Sequence, residues 1–166
     1  MKIKTKHLGD LKFEIDNSKH KITINPKEEI SPVEVFAGAM ISCSGVDVVY
    51  LANKQGFEVT KCEIESDIKR KESYPQVFEE VVINYDINSN ADDIKAKRWV
   101  LSSLETYCST INTIRATAKI YYTIKHNDSI IAYKETILSG GGSTNTHAHD
   151  SFDDDLEGMG CACCNH

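Results

Sequence analysis

The sequence predicts a single α+β domain followed by a polar tail. Short segments of alternating polar and apolar residues open the chain, a nearly uncharged apolar stretch occupies residues 35–51, and further alternating segments follow. With 166 residues, of which 40% are hydrophobic, the chain is long enough for one well-buried domain. We place this domain at residues 1–138 and the tail at residues 139–166.

Three short strands are predicted at the start of the chain. Polar and apolar residues alternate in residues 3–8, 12–15 and 21–24, and turn-forming residues separate these segments. The expected arrangement is an antiparallel meander.

A long helix is predicted after these strands. Ser31, Pro32 and Glu34 form the pattern of an N-cap, a first helical residue and a capping box. Gly56 is suited to the left-handed C-cap, and Lys54 lies in the last turn before it. Because apolar residues occupy every side of the first half, we expect protein to cover nearly all its faces. A small domain cannot supply that cover alone, so a dimer is expected.

The remainder is predicted as two hairpins separated by a second helix. The first hairpin carries a bulge near its start, and Ser89 or Asn90 is the predicted cap of the second helix. The predicted segments are strands 57–68 and 77–87, helix 91–107, and strands 114–124 and 130–138.

Charge and hydropathy argue against several classes of partner. The net charge of −6 is concentrated in residues 139–166, which hold five acidic residues and neither Lys nor Arg. The nearly neutral body lacks the basic surface that nucleic-acid binding requires. The N-terminus lacks the apolar core of a secretion signal, so a cytoplasmic location is expected. The 17 residues of the stretch 35–51 lie at the short limit of the ~17–25 that span a bilayer, so no membrane insertion is expected.

The six cysteines fall into two groups. Three lie in the last six residues, whereas Cys43, Cys62 and Cys108 lie within apolar patterns. In a reducing compartment we interpret them as free thiols rather than a disulfide framework. Cys62 alternates with strand residues and is interpreted as buried packing. Cys43 lies inside the apolar stretch of the first predicted helix, and Cys108 lies just past the second. The two are either inert packing residues or a redox pair.

The segments around these two cysteines resemble the OsmC/Ohr superfamily, particularly its less characterised OsmC-like branch. The matching segments are Ser31–Cys43 followed by Asp47, the residues 74–78, and Thr106–Ser109. The resemblance covers about residues 1–138. It implies an OsmC-like α+β fold in which antiparallel sheets pack around two central helices of an intertwined homodimer.

The resemblance also implies a thiol peroxidase that reduces organic hydroperoxides. Cys43 would attack the peroxide as a thiolate and become a sulfenic acid, which Cys108 would resolve as a disulfide. A dithiol reductant, either a lipoyl protein or thioredoxin, would regenerate the pair. Because Cys108 begins a segment that can form a short helical turn, the helix dipole is expected to favour its thiolate.

Some positions depart from the pattern of the superfamily. Its peroxidases direct an arginine from the N-terminal strands toward the reactive cysteine, whereas the first arginine here is Arg70. Arg115 is the first candidate to replace that charge, followed by Arg98 or an N-terminal lysine. Where the superfamily has glutamate after the helix proline this chain has Val33, so Glu34 is assigned first to the capping box. Asp47 is a further supporting candidate, although its negative charge would oppose a nearby thiolate.

The tail contains a separate group of potential metal ligands. Thiol and imidazole groups suit zinc or Cu(I), although adjacent cysteines rarely serve one tetrahedral ion together. The candidate ligands are Cys161, Cys163, Cys164 and His166.

Three functions therefore remain open from the sequence. The first is the thiol peroxidase, acting on a small apolar hydroperoxide without a cofactor in the core. The second is a non-catalytic OsmC-like module that binds a small molecule or senses redox state. The third is metal handling, which depends on the tail alone.

Overall fold

The computed structural model describes residues 1–138. The chain divides into two compact units, Met1–Ala39 and Met40–His166. The predicted tail 139–166 lies outside the described residues, and so does the predicted metal ligation by Cys161, Cys163, Cys164 and His166.

The first unit contains a three-stranded antiparallel sheet. Strands β1 (Lys4–Gly9), β2 (Lys12–Asp16) and β3 (Lys21–Ile24) are neighbours in chain order. Gly9 and Asp10 both adopt positive φ, at 117° and 46°, in the tight turn that joins β1 to β2. This sheet confirms the predicted meander.

Helix α1 (Pro32–Lys54) begins and ends where the local signals place it. At its start the amide of Ser31 donates to Glu34 Oε2 at 2.8 Å, and the amide of Glu34 donates to Ser31 Oγ at 3.3 Å. At its end the amide of Phe57 donates to the Ala52 carbonyl at 3.0 Å, and Gly56 adopts a φ of 80°. The bond from Phe57 to Ala52 and the positive φ of Gly56 together form the Schellman motif, which a glycine after the helix permits.

Helix α1 also meets the length and composition of a membrane-spanning helix. The mean hydropathy of its most apolar 18 residues is 1.7. The core helix of a globular domain satisfies the same criterion, and Asp47, Val48 and Leu51 of α1 are almost completely buried. The helix therefore gives only weak evidence for a membrane.

A mixed four-stranded sheet forms most of the second unit. Strands β4 (Val59–Arg70), β5 (Phe78–Ser89), β6 (Lys119–His126) and β7 (Ser129–Thr136) are ordered β4-β5-β6-β7. The two sequential hairpins are antiparallel, as predicted, and the register of β4 is interrupted between Val59 and Lys61, as its phase change predicts. The central pair β5 and β6 is parallel, which corrects the expectation that both sheets are antiparallel throughout. Parallel pairing requires a crossover connection, which the intervening helices supply.

The second helix, which lies in this crossover, begins later than the predicted residue 91. Helix α2 (Asp93–Ser102) is capped by Asp92, whose side chain accepts the Lys95 amide at 2.9 Å. Neither Ser89 nor Asn90 is free for capping, because Asn90 accepts the Glu58 amide and Ser89 bonds to a histidine ring. Helix α2 continues into a π-helical turn, Ser103–Tyr107.

The beginning of the last hairpin is also corrected. Residues Ser109–Ile114 form the short helix α3, and the strand that was predicted from residue 114 begins at Lys119. The short helix agrees with the helical turn expected after Cys108, and its residue Ile111 is buried.

The core of the second unit lies between one face of the sheet and the helices. Every second residue of β6 is buried, and so is every second residue of β5 from Val81 to Ile87. This is the pattern of a sheet covered on one face. Trp99 of α2 is 1% exposed, and its Nε1 donates to Gln55 Oε1 at 2.8 Å. The helical residues buried against the sheet include Met40, Val48, Leu51, Ala96, Val100 and Leu104.

We predict that Asp92→Ala lowers the free energy of unfolding by about 1 kcal/mol, because the N-cap acceptor is lost. The matched variant Asp92→Asn retains an acceptor and should lose about 0.5 kcal/mol or less. Urea unfolding followed by circular dichroism measures both values. Equal stability of Asp92→Ala and the parent protein would contradict the assigned cap.

Candidate active site: a buried pair of thiols

Two thiols from distant parts of the chain meet in the second unit. Cys43 lies on α1, and Cys108 lies between the π-helical turn and α3. Their sulfur atoms and a carboxylate oxygen of Asp47 all lie within 4.8 Å of one another. Cys43 and Asp47 are one turn apart and share a face of α1. The structure therefore brings together the two predicted catalytic residues, Cys43 and Cys108, and the predicted supporting residue Asp47. The catalytic roles of all three stay predictions.

The two thiols differ in exposure. Cys43 is half-buried, whereas Cys108 is 0% exposed and Asp47 is 1% exposed. A solute that approaches the site therefore meets Cys43 first.

The surroundings of Cys108 favour its protonated form. Its Sγ lies 3.2 Å from Thr110 Oγ1 and 3.9 Å from the Met40 carbonyl oxygen. Burial raises the pKa of the Cys108 thiol far above its usual range; the hydrogen bonds from Thr110 and the Ile111 amide oppose this effect, and Cys43 adds to it. The expected stabilisation of a Cys108 thiolate at a helix N-terminus is therefore outweighed by desolvation.

A chain of buried hydroxyl groups leads away from Asp47. Ser103 Oγ donates to Asp47 Oδ2 at 3.3 Å and lies 2.9 Å from Ser44 Oγ, which in turn lies 2.6 Å from the Tyr85 hydroxyl. Burial raises the pKa of Tyr85, so the phenol at the far end keeps its proton. The four side chains form one hydrogen-bonded chain beside the thiols.

Ser103 also positions Cys108 through its backbone. The Cys108 amide donates to the Ser103 carbonyl at 2.9 Å, which is the i to i+5 bond of the π-helical turn. Single π-helical turns inside helices occur frequently at functional sites. The sequence did not identify Ser44, Ser103 and Tyr85 as site residues. The one signal that pointed to them was the presence of a serine on an otherwise apolar face of each helix.

Comparison with known proteins identifies the family. The family described as OsmC-like protein matches residues 25–123, which is more than half of the chain. The chain belongs to the OsmC-like family.

Two kinds of relative support the assignment of this OsmC-like protein. Protein YhfA of Escherichia coli (strain K12) is 31% identical over 80 residues, which are 48% of this chain and 60% of YhfA. The matched region thus spans only 60% of the length of that curated relative. A hypothetical protein from Aquifex aeolicus VF5 is 26% identical, with a TM-score of 0.68 over 76% of this chain and 96% of that chain.

An organic hydroperoxide resistance protein OsmC from Legionella pneumophila shares the fold. It superposes with a TM-score of 0.57 at 15% identity, over 75% of this chain and 96% of that chain. These similarities confirm the predicted α+β OsmC-like fold.

Two predicted supporting residues have other contacts in this OsmC-like protein. Glu34 forms the capping box with Ser31, and the hydrogen bonds from Ser31 lower the pKa of its carboxyl group. Arg115 Nη1 donates to the Glu105 carbonyl at 2.6 Å and lies 3.7 Å from the Glu105 carboxylate. A role for either residue at the thiols stays a prediction.

A second polar cluster resembles a hydrolase triad in its order of hydrogen bonds. Ser89 Oγ lies 2.9 Å from His126 Nε2, and His126 Nδ1 lies 2.7 Å from Asp93 Oδ1. However, His126 is 1% exposed, and Ser89 Oγ also accepts the Ala91 amide. We assign this cluster the structural role of connecting the ends of β5, β6 and α2.

We predict that alkylation of Cys108 in the reduced protein accelerates about tenfold per pH unit up to at least pH 9, because its raised pKa keeps the thiolate scarce. The protein carries serine at the three tail cysteines, and mass spectrometry of peptides after timed alkylation gives the rate. A small-molecule thiol, with its pKa of about 8.5, should approach a plateau in the same buffers. A plateau for Cys108 at or below that pH would contradict the assignment.

Proposed function

We propose that this protein is a thiol-dependent peroxidase that reduces small apolar organic hydroperoxides through Cys43 and Cys108. The observation that carries the proposal is the approach of the two sulfur atoms and the Asp47 carboxylate to within 4.8 Å of one another. Membership of a family that includes organic hydroperoxide resistance proteins supports the same reaction. The expected role is defence against oxidative stress.

The difference in exposure supports an order of events. The half-buried Cys43 acts first: its thiolate attacks the O–O bond of ROOH, and the products are Cys43 sulfenic acid and ROH after one proton is taken up. The buried Cys108 then attacks the sulfenic sulfur, which forms the disulfide and releases water. A dithiol, such as a lipoyl protein or thioredoxin, reduces this disulfide and is itself oxidised to a disulfide.

Asp47 is the proposed proton carrier for the second step. Because burial holds Cys108 as a protonated thiol, its proton must leave before the sulfur can attack. The Asp47 carboxylate lies within reach of both sulfurs and can accept this proton and pass it to the departing hydroxide. The hydroxyl of Ser103 holds that carboxylate in place.

Exposed apolar side chains support the proposed homodimer. Phe13 of β2 and Ile22 of β3 lie on one face of the three-stranded sheet, because Ile22 pairs with Ile15, two residues from Phe13. Their side chains are 38% and 50% exposed. Monomeric proteins seldom leave such apolar groups together in water. A second copy of the chain is the proposed cover, and a reducing compartment such as the cytoplasm is the proposed location for the free thiols.

We predict that an organic hydroperoxide converts the reduced protein to a form two hydrogens lighter, with a link between Cys43 and Cys108. In the tail-serine background, Cys43→Ser should reduce hydroperoxide consumption to the rate of buffer alone. Cys108→Ser should complete one turnover and leave a sulfenic acid that a dimedone probe traps on Cys43. Cys62→Ser is the matched control and should retain full activity.

These measurements also separate the proposed peroxidase from a binding or sensing module. Core thiols that remain unchanged in the intact mass after exposure to hydroperoxide would refute the peroxidase. Formation of the disulfide without turnover in the presence of either dithiol would favour the redox-sensing alternative.

We predict that Asp47→Asn slows formation of the disulfide roughly 100-fold while attack by Cys43 continues, because only the second step loses its proton acceptor. Rapid-quench mass spectrometry follows the sulfenic acid and the disulfide separately. An unchanged rate of disulfide formation would remove Asp47 from the mechanism.

We predict a solution mass of twice the 18.6 kDa chain mass by light scattering at micromolar concentration. Ile22→Glu should shift the protein toward the monomer, since a carboxylate would be buried without a partner. Lys19→Glu, on the exposed turn before β3, is a matched charge control and should leave the dimer intact. A parent protein that behaves as a monomer would contradict the proposal.

A further inference from the structure

We propose that Cys43, Asp47 and Cys108 form a binding site for one zinc ion. Two sulfur atoms and one carboxylate oxygen lie within 4.8 Å of one another. In a tetrahedral zinc site with bonds of about 2.0–2.3 Å, neighbouring ligand atoms lie about 3.3–3.8 Å apart. The three groups therefore need to move by no more than about 1–1.5 Å to close around the ion.

The secondary structure places these ligands as a metal site requires. Cys43 and Asp47 lie at positions i and i+4 of α1, the spacing at which two ligands on one helix can bind the same ion. Cys108 approaches from the end of the π-helical turn, so two separate elements hold the set.

Hydrogen bonds around Asp47 form the outer support that metal ligands usually have. Ser103 donates to Asp47 Oδ2 at 3.3 Å, which orients the carboxylate toward the sulfur atoms. The hydrogen bonds between Ser103 and Ser44 and between Ser44 and Tyr85 extend this support into the core. Such outer contacts fix the orientation of a ligand and strengthen metal binding.

The ligand types select the metal. Two thiolates exclude the hard cations magnesium and calcium, whereas zinc accepts thiolate and carboxylate together. Three protein ligands leave a fourth position open, as in catalytic rather than structural zinc sites. Of the three ligands, Cys43 is the one that is half-buried rather than buried.

This site couples zinc to the same thiols that carry the proposed peroxidase activity. When a hydroperoxide oxidises the zinc-bound pair, two thiolates, ROOH and two protons give the disulfide, ROH, water and free Zn²⁺. A disulfide cannot serve as a thiolate ligand, so oxidation expels the ion. The zinc-bound and disulfide forms are mutually exclusive, and the protein releases one zinc ion for each disulfide formed.

The test uses the full chain with tail cysteines 161, 163 and 164 changed to serine and tail histidines 147, 149 and 166 changed to asparagine. Reduced protein is loaded with Co²⁺ as a spectroscopic probe, and its zinc affinity is measured against a chromophoric chelator. We expect one ion per chain and a sulfur-to-cobalt charge-transfer band. Cys43→Ser and Cys108→Ser should each abolish the band, and Asp47→Asn should weaken zinc binding at least about tenfold.

The control variant Cys62→Ser should bind the metal as the parent does. If a core variant fails to fold, protection of the parent protein answers the question: zinc should shield Cys43 and Cys108, but not Cys62, from alkylation. Binding below one ion per chain, a band that survives Cys108→Ser, or an absence of protection would overturn the site. Hydroperoxide consumption by chelator-treated protein tests the proposed peroxidase independently, so the two proposals fail separately.

Discussion

The hydrogen bonds of Ser103 are the constraint on which the candidate site depends. Its carbonyl accepts the Cys108 amide, and its hydroxyl reaches Ser44 and Asp47 on α1. One buried residue thus fixes the second thiol relative to the helix that carries the first. A hydrogen bond contributes about 1 kcal/mol, but a buried partner left unsatisfied costs about 1–3 kcal/mol. This penalty stabilises one arrangement of α1 and the crossover, and with it the approach of Cys43 to Cys108.

Local signals predicted the elements that local interactions determine. Ser31, Glu34 and Gly56 fixed both ends of α1, because capping boxes and left-handed C-caps involve only residues near one another in sequence. The cap of α2 was predicted wrongly because the alternatives Ser89 and Asn90 are held by partners on other strands. The parallel pairing of β5 and β6 was equally inaccessible, since it depends on how the whole crossover packs.

In the candidate site, too, the sequence revealed the residues marked by local patterns and missed those that depend on distant contacts. Cys43 and Cys108 were found through the motifs around them, and Asp47 through its helical spacing from Cys43. Ser103 and Tyr85 were not identified, because their roles depend on contacts between segments that are remote in sequence. A hydrophobic pattern also cannot reveal a π-helical turn, in which one extra residue rotates everything that follows it. Cys108 follows directly after this turn, and its amide is bonded to the first residue of the turn.

A carboxylate beside two thiols determines which states of the site are favourable. Two thiolates next to the buried Asp47 would place like charges together where solvent cannot screen them. The dithiol avoids this repulsion because both sulfur atoms keep their protons. The disulfide avoids it because neither sulfur atom carries a charge. A bound cation would reduce it by neutralising part of the negative charge of the three groups. The site therefore disfavours the free dithiolate. The proposed proton transfer, disulfide formation and zinc binding would then be three ways in which one set of atoms avoids the same repulsion.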